Sequence, residues 1–191
     1  MTSSDKLNVV TICGSLRRDS YNRALMRALP ALAPAHLAFT EAPSYAGLPL
    51  YDSDLQKTAG FPPEATAWAD AIRAADAVIV VTPEYNWSIP GPLKNAIDWV
   101  SRMTDQPFKG KPVAIQSAST GLLGGGRVQQ HLRVCLTGVD AVVFGRPEVF
   151  VTFAAQKFDA NGELKDEPTR DMIRQHLASF TAFAAKVAGK A

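Results

Sequence analysis

The sequence predicts a three-layer α/β fold in which a five-stranded parallel sheet is covered by helices on both faces. Short apolar runs alternate along the chain with segments of helical periodicity, which is typical of parallel strands joined by right-handed crossovers. The runs are rich in valine and isoleucine, as expected for strands buried on both faces. The 191 residues show no repeat, linker or low-complexity segment, so we expect one domain over residues 1–191.

The first half of the chain begins this alternation. The run LNVVTI at 7–12 predicts a buried strand, and a helical pattern at 22–32 follows it and stops before Pro34. A second strand is predicted at 36–40. The stretch at 42–63 is rich in proline, glycine and aromatic residues, so it predicts a long loop of the kind that often carries function.

The middle of the chain continues the pattern. A helix is predicted at 63–75, with proline at its start, and AVIVVT at 77–82 is the clearest buried strand. Apolar residues recur at helical spacing over 92–102, and the run at 111–117 predicts a fourth strand. A further helix is predicted to end near Leu136.

The C-terminal part supplies a fifth strand and a closing helix. The strand is predicted to begin at 141–144 and to resume at 149–153, after Arg146 and Pro147. An amphipathic helix is predicted at 169–187. Five strands that alternate with helices suit a doubly wound sheet in the flavodoxin-like order 2-1-3-4-5.

Composition and charge indicate an ordinary globular protein. The charged fraction is 20% and the net charge is +2, so nothing requires nucleic acid or an anionic membrane as partner. No apolar run approaches the roughly 20 residues of a membrane span, and the start MTSSDK lacks a signal pattern, so we expect a cytoplasmic protein. Cys13 and Cys135 form no metal-binding spacing and are expected to be buried, reduced thiols. No ligand pattern surrounds His36, His131 or His176, so we expect no metal site.

Three chemically unusual segments follow the first, third and fourth predicted strands. They are GSLRRDSYN at 14–22, PEYNWSIPG at 83–91 and SASTGLLGGGR at 117–127. The carboxyl ends of parallel strands share one edge of the sheet, and ligands bind there at the switch in strand order, here between strands 1 and 3. The three loops therefore predict a ligand site at this edge.

The first loop has the composition of an anion site. A helix N-terminus offers free N–H groups and partial positive charge, Ser15, Ser20 and Asn22 add neutral donors, and Arg17 or Arg18 adds a guanidinium. This set suits a phosphate, although neither GxxxxGK[ST] nor GxGxxG is present. The alternative is an ordinary helix capped by Ser20, with both arginines in solvent.

The second and third loops favour a flat ring as the other part of the ligand. Pro83 leads the chain out of the strand, and Tyr85 or Trp87 could cover a heterocycle. The alternative is an exposed turn whose aromatic residues pack on neighbouring helices. The glycines of the third loop permit either close ligand approach or simple flexibility, and the sequence leaves both open.

With these loops in view, the chain resembles the NADPH-dependent FMN reductase family of flavodoxin-like proteins, especially its quinone and chromate reductase branch. The matching segments are 14–22, 83–99 and 117–133, in the expected order. The resemblance implies bound FMN, with NADPH or NADH as co-substrate. Because the cofactor carries the chemistry, no catalytic side chain is assigned.

The resemblance also implies which residues hold FMN. The phosphate loop is matched by Ser15, Leu16, Arg17, Ser20 and Asn22. The two sides of the flavin ring are matched by Pro83, Glu84, Tyr85 and Asn86, and by Ser117, Ser119 and Gly121. Arg17 rather than Arg18 stands in the motif position, while Asp19 places an acid beside the phosphate loop.

The implied activity is reduction of a quinone, with chromate or free flavin as further acceptors. Two other classes stay open: a flavodoxin-like single-electron carrier, although such carriers are often strongly acidic, and an FMN-sensing module. We expect Trp87 and Arg102 to lie on the acceptor side, the alternative for Arg102 being a solvated cation at a helix end.

The resemblance further implies a homodimer or homotetramer. An apolar face with Leu93, Ile97, Trp99 and Val100 could form part of the interface. The alternative is that this face packs on the sheet.

Overall fold

All strands of the computed structural model, which describes residues 6–190, lie parallel in one sheet. The strands are β1 (Leu7–Cys13), β2 (Leu37–Glu41), β3 (Ala77–Val81), β4 (Pro112–Ala118), β5 (Val142–Val143) and β6 (Val149–Val151). The helices are α1 (Tyr21–Leu32), α2 (Ser53–Ala59), α3 (Pro63–Ala74), α4 (Gly91–Val100), α5 (Gly126–Thr137) and α6 (Glu167–Val187). Every crossover therefore passes over a face of the sheet, as parallel pairing requires.

The strand order is β2-β1-β3-β4-β5, and β6 also pairs with β4. β5 pairs with the start of β4 at Pro112 and Val113, whereas β6 pairs with its end, from Gln116 to Ala118. The fifth strand position is thus filled by two short pieces. The predicted order and the predicted break in the last strand are both confirmed.

Two apolar layers cover the sheet. On one face α1 and α6 bury Leu25, Leu29 and Leu177 against β1 and β3. On the other face α3, α4 and α5 bury residues such as Trp68 and Leu132. Full burial of an aliphatic side chain contributes about 1.5–3 kcal/mol, so these layers fix the helices and the loops that lead into them.

The stretch predicted as a long loop contains α2. Asp52 caps this helix by accepting from the backbone N–H of Asp54 at 2.8 Å, and Gly60 ends it with φ of 78°. None of its seven residues is buried. A helix without a buried face leaves no apolar periodicity in the sequence, which is why the pattern did not predict it.

The apolar face of α4 belongs to the core of the single chain. Leu93, Ile97 and Val100 are buried against the sheet, and the Trp99 indole N–H donates to the Pro49 carbonyl at 2.8 Å. Of the two alternatives that the sequence left open for this face, packing on the sheet is therefore the one that the structure shows, and a subunit interface is not. The helical spacing of these apolar residues reflects their burial against the sheet.

The two cysteines differ. Both are free thiols, and Cys13 is the last residue of β1 and is buried as expected. Cys135 on α5 is only partly buried, so the expectation of burial is wrong at that position. Burial raises the pKa of both thiols, mainly because the charged thiolate loses hydration.

The histidines occupy different environments. His36 is exposed, and His131 places Nδ1 3.0 Å from the Ser88 hydroxyl. His176 is buried, with Nδ1 2.7 Å from the Pro147 carbonyl, so Nδ1 carries the hydrogen. Among residues 6–190 no three potential metal ligands cluster, and no helix there is long and apolar enough to cross a membrane.

The buried His176 makes stability depend on pH. Burial lowers its pKa from 6.5 to about 4, the hydrogen bond to Pro147 opposes that shift, and the charge of Arg133 adds to it. The unfolded chain takes up a proton below pH 6.5, whereas the folded chain does so only near pH 4. We therefore expect the free energy of unfolding to fall by about 2–3 kcal/mol between pH 7.5 and 4.5.

Urea unfolding at a series of pH values measures this change. His176→Phe removes the titrating group from the Phe144 and Phe180 cluster and should remove most of the slope in this window. His36→Gln, at an exposed histidine, should retain it. An unchanged slope in His176→Phe would contradict the assignment.

Candidate active site

The site lies where β1 and β3 end side by side. The Gly14 N–H donates to the Val81 carbonyl at 2.8 Å, which brings the first loop against the start of the second. A Cβ on Gly14 would lie 2.3 Å from the Thr82 hydroxyl oxygen, so only glycine fits. From this contact α1 turns to one face of the sheet and α4 to the other, which opens the crevice predicted for the switch in strand order.

Hydrogen bonds within the first loop fix its shape. The buried Ser15 hydroxyl accepts from the Arg17 N–H at 3.3 Å, and the Ser20 hydroxyl caps α1 by accepting from the Asn22 N–H at 3.2 Å. The Arg17 guanidinium donates to the Asp19 carbonyl at 2.8 Å. The capped helix was one alternative from the sequence, and it is compatible with an anion site because the α1 N-terminus has no acidic residue in its first turn.

Asn22 joins the first loop to the third. Its side-chain amide donates to the Ala118 carbonyl and accepts from the Ala118 N–H, both at 2.9 Å and both buried. Both heavy atoms of the amide are therefore engaged with the end of β4. The sequence assigned Asn22 to the phosphate loop but gave no sign of a partner 96 positions away.

The second loop forms a tight two-residue hairpin. Tyr85 and Ser88 exchange backbone hydrogen bonds of 3.0 Å, and the two residues between them, Asn86 and Trp87, both have positive φ, 48° and 67°. Two such residues in succession match the type I′ turn that a short hairpin prefers, and this conformation is uncommon for tryptophan. The hairpin leaves Trp87 65% exposed and Tyr85 45% exposed at the rim of the crevice.

The third loop is tightly packed. Gly124 and Gly125 have positive φ, and a Cβ on Gly125 would lie 2.7 Å from the Cβ of Ser117. The buried Ser117 hydroxyl donates to the Gly124 carbonyl at 2.6 Å and accepts from the Gln129 amide at 2.8 Å. These glycines thus allow close backbone packing, while Ser119 and Gly121 remain accessible at the edge.

Two cavities meet at Arg17. A cavity of about 270 Å³ lies between the first and second loops, lined by Gly14, Leu16, Arg17, Tyr85, Pro90 and Pro92. A basic cavity of about 350 Å³ adjoins the start of α1 and includes Arg17, Arg18, Arg23 and Arg27. An apolar cleft beside a cationic loop fits the ring and the phosphate of FMN, so the residues present suit that cofactor.

The structure does not bring Arg102 to these loops. Arg102 follows α4, which starts at Gly91 beside the second loop and runs ten residues away from it. At about 1.5 Å per residue this is roughly 15 Å of helix. The Arg102 guanidinium instead lies 5.5 Å from the centre of the Tyr51 ring. The helical pattern predicted the length of α4, but not that the residues after its C-terminus lie away from the three loops.

The carboxylate of Glu84 contacts α5. Its Oε2 accepts from the Arg127 and Val128 N–H groups at 3.0 and 3.1 Å, and the Arg127 guanidinium lies 4.0 Å above the Trp87 ring. The sequence placed Glu84 at the flavin ring and did not single out Arg127. The cationic residue directly after the glycine run was the available signal.

A parallel sheet in this order, with an apolar cleft and a cationic loop at the switch, defines a flavodoxin-like nucleotide-binding protein. The chain belongs to the NADPH-dependent FMN reductase family, whose sequence pattern matches residues 7–156. It is therefore an NAD(P)H-dependent oxidoreductase that uses FMN, as the resemblance implied.

Relatives of this chain align over nearly its whole length. It is 49% identical over 185 residues to the quinone reductase of Escherichia coli (strain K12), covering 96% of this chain and 98% of the relative. It is 43% identical over 186 residues to an NAD(P)H-dependent FMN reductase of Pseudomonas aeruginosa, covering 97% and 100%. The structure of FerB, a flavoenzyme NAD(P)H:(acceptor) oxidoreductase from Paracoccus denitrificans, superposes with a TM-score of 0.84 at 36% identity, covering 94% and 98%.

The Asn22 bridge predicts a large loss of stability on substitution. Asn22→Ala leaves the buried N–H and carbonyl of Ala118 without partners, and we expect the free energy of unfolding to fall by about 2–4 kcal/mol. Asn95→Ala is the matched control, because Asn95 also bridges backbone groups, those of Pro49 and Tyr51, but from a half-buried position that water can reach.

Urea unfolding of the FMN-free proteins makes the comparison. We expect Asn95→Ala to cost less than about 1 kcal/mol, since water replaces the lost bonds. Equal losses of unfolding free energy in the two variants would show that the buried bridge contributes no more to stability than the half-buried one.

Proposed function

We propose that this protein is an FMN-dependent NAD(P)H:quinone oxidoreductase. The observation that carries the proposal is the apolar cleft between the first two loops, which is continuous with the cationic loop at Arg17. Its exposed aromatic rim suits a flat, uncharged acceptor. Similarity to proteins named quinone reductase and 2-hydroxy-1,4-benzoquinone reductase, at 49% and 40% identity, supports quinones as the acceptor class.

FMN would be held by all three loops. We assign its phosphate to the first loop, where Ser15, Leu16, Arg17, Ser20 and Asn22 shape the start of α1. We assign its ring to the cleft at the second loop, beside Pro83, Tyr85 and Asn86, and we propose that the third loop, through Ser117, Ser119 and Gly121, faces the ring from the other side. When bound, FMN would supply the two-electron redox chemistry that links oxidation of the reduced nicotinamide to reduction of the acceptor.

The protein's own residues bind and orient the reactants. Leu16, Pro90 and Pro92 give the cleft an apolar lining that favours a flat ring over water. The exposed rings of Tyr85 and Trp87 offer stacking surfaces for a nicotinamide or a quinone at the rim. The cationic first loop attracts anionic groups of the reactants.

The comparisons favour a reductase over a single-electron carrier. A flavodoxin from Pseudomonas aeruginosa superposes with a TM-score of only 0.55 at 17% identity, which shows the shared fold alone.

We further propose a cytoplasmic location, which the two free cysteines support because thiols persist in reducing compartments.

Anaerobic mixing of the purified yellow protein with NADPH tests the function. We expect rapid loss of the yellow colour and its return when a benzoquinone is added, with one quinone consumed for each NADPH. The same assay with NADH, chromate and free flavin ranks the other reactants. A yellow protein that does not bleach would contradict the reductase assignment.

The two arginines of the first loop are expected to differ. Arg17 borders both cavities, whereas Arg18 borders only the basic one. Arg17→Gln should weaken FMN binding by about tenfold, in line with the loss of one charge-assisted hydrogen bond. Arg18→Gln, the matched control, should change it less than about threefold. Titration of apoprotein by flavin fluorescence measures both, and equal effects would contradict the assignment.

We also propose that the protein is a homodimer or homotetramer. Large apolar side chains are exposed on the loops, among them Leu50 at 83%, Leu122 at 70% and Trp87. Exposed side chains of this kind are common in contact surfaces between subunits. Light scattering of the wild type should give a mass of two or four chains, and Leu122→Lys should lower it. A wild-type monomer at micromolar concentration would contradict this proposal.

A further inference from the structure

We propose that Glu84 is a positioning residue that couples the second loop to the start of α5 and thereby holds the two sides of the flavin site together. The inference rests on the proposed binding of FMN. It changes the role expected for Glu84, whose carboxylate serves another part of the chain.

The start of α5 has no cap of its own. Its N-cap residue is Gly125, which has no side chain, and its first turn contains no acidic residue. The first N–H groups of a helix lack internal partners and carry partial positive charge. Glu84 supplies the missing acceptor from 43 positions earlier, with Oε2 at 3.0 Å from the Arg127 nitrogen and 3.1 Å from the Val128 nitrogen.

Arg127 extends the contact to the exposed hairpin. Its Nη1 lies 3.6 Å from Oε1 of Glu84, and its guanidinium stacks 4.0 Å from the centre of the Trp87 ring. The Glu84 side chain is only 13% exposed, so this charge pair is partly shielded from solvent. The cation therefore bridges the carboxylate and the ring.

A third contact lies one turn further along α5. The Ser88 hydroxyl is 3.0 Å from Nδ1 of His131. The second loop is thus attached to α5 at residues 127, 128 and 131, which lie on neighbouring positions of one helix face. Among the described residues, Glu84 is the side chain that accepts from N–H groups at this helix end, while the Gly126 N–H is paired with the Leu123 carbonyl at 2.9 Å.

The coupling reaches the third loop through the chain itself. Gly124 and Gly125 lead directly into α5, and Gln129 of α5 donates to Ser117 at the end of β4. Moving the helix start would therefore move the third loop. Without Glu84 the two loops could shift independently, and only a fraction of the molecules would present a complete site, which raises the apparent dissociation constant by the inverse of that fraction.

FMN titration of apoprotein variants tests the coupling. Glu84→Ala removes the acceptor, and we expect FMN to bind about tenfold more weakly, as for a site complete in a tenth of the molecules. Glu84→Gln keeps an oxygen for the two N–H groups, so it should restore FMN affinity to within about threefold of wild type. Faster hydrogen exchange at the amides of Arg127 and Val128 in Glu84→Ala should accompany the loss.

Asp166→Ala is the matched control for the loss of a helix cap. Asp166 caps α6 by accepting from the Thr169 N–H at 3.0 Å, outside the three loops. The Asp166→Ala substitution should lower the melting temperature of the apoprotein as Glu84→Ala does. It should leave FMN affinity within about twofold of wild type. Melting and circular dichroism of each apoprotein establish that the variants are folded.

The outcomes separate the two claims. Wild-type protein that does not bind FMN would overturn the proposed function. Wild type that binds FMN, with Glu84→Ala binding it equally well, would overturn the coupling. So would Glu84→Gln as weak as Glu84→Ala, since that variant keeps an acceptor for the two N–H groups, or an equal loss of affinity in Asp166→Ala.

Discussion

The pairing of β1 with β3 is the constraint on which the rest of the structure depends. Five residues of each strand pair in parallel, from Val9 with Ala77 to Cys13 with Val81, and all ten are buried. β2 adds to the free side of β1 and β4 to the free side of β3. The order must therefore reverse between β1 and β3, and the crevice at their carboxyl ends follows from that reversal. At Gly14, the close approach of Thr82 leaves no room for a side chain.

Bonds between distant segments convert the crevice into a defined site. Asn22 ties the first loop to the end of β4, and Glu84 ties the second loop to α5. Gln129 ties α5 back to Ser117. A residue can thus be essential for binding a cofactor without touching it, because each bond fixes one loop relative to another. Loops held in this way bind a ligand at a smaller cost in conformational entropy.

The sequence predicted those parts that depend on local physics. Apolar runs identified the sheet because strands buried on both faces must be apolar, and the flanking Gly, Pro and Ser residues identified the loops. α2 escaped prediction because it buries nothing, and the face of α4 was open to two interpretations because helical spacing does not say what covers it. The partners of Asn22 and Glu84 lie 96 and 43 positions away, so no local pattern encodes them. Resemblance assigned the site to three loops but not the atoms that each side chain contacts.

The central claim is that the three loops at this edge hold FMN together. Titration of the isotope-labelled apoprotein with FMN, followed by amide NMR, tests it most directly. The account predicts shift changes at 14–22, 83–91 and 117–127 that progress together, and none at Leu7, His36 and Thr181, which line a cavity at the opposite edge of the sheet. Changes at that opposite cavity, or changes confined to a single loop, would contradict it.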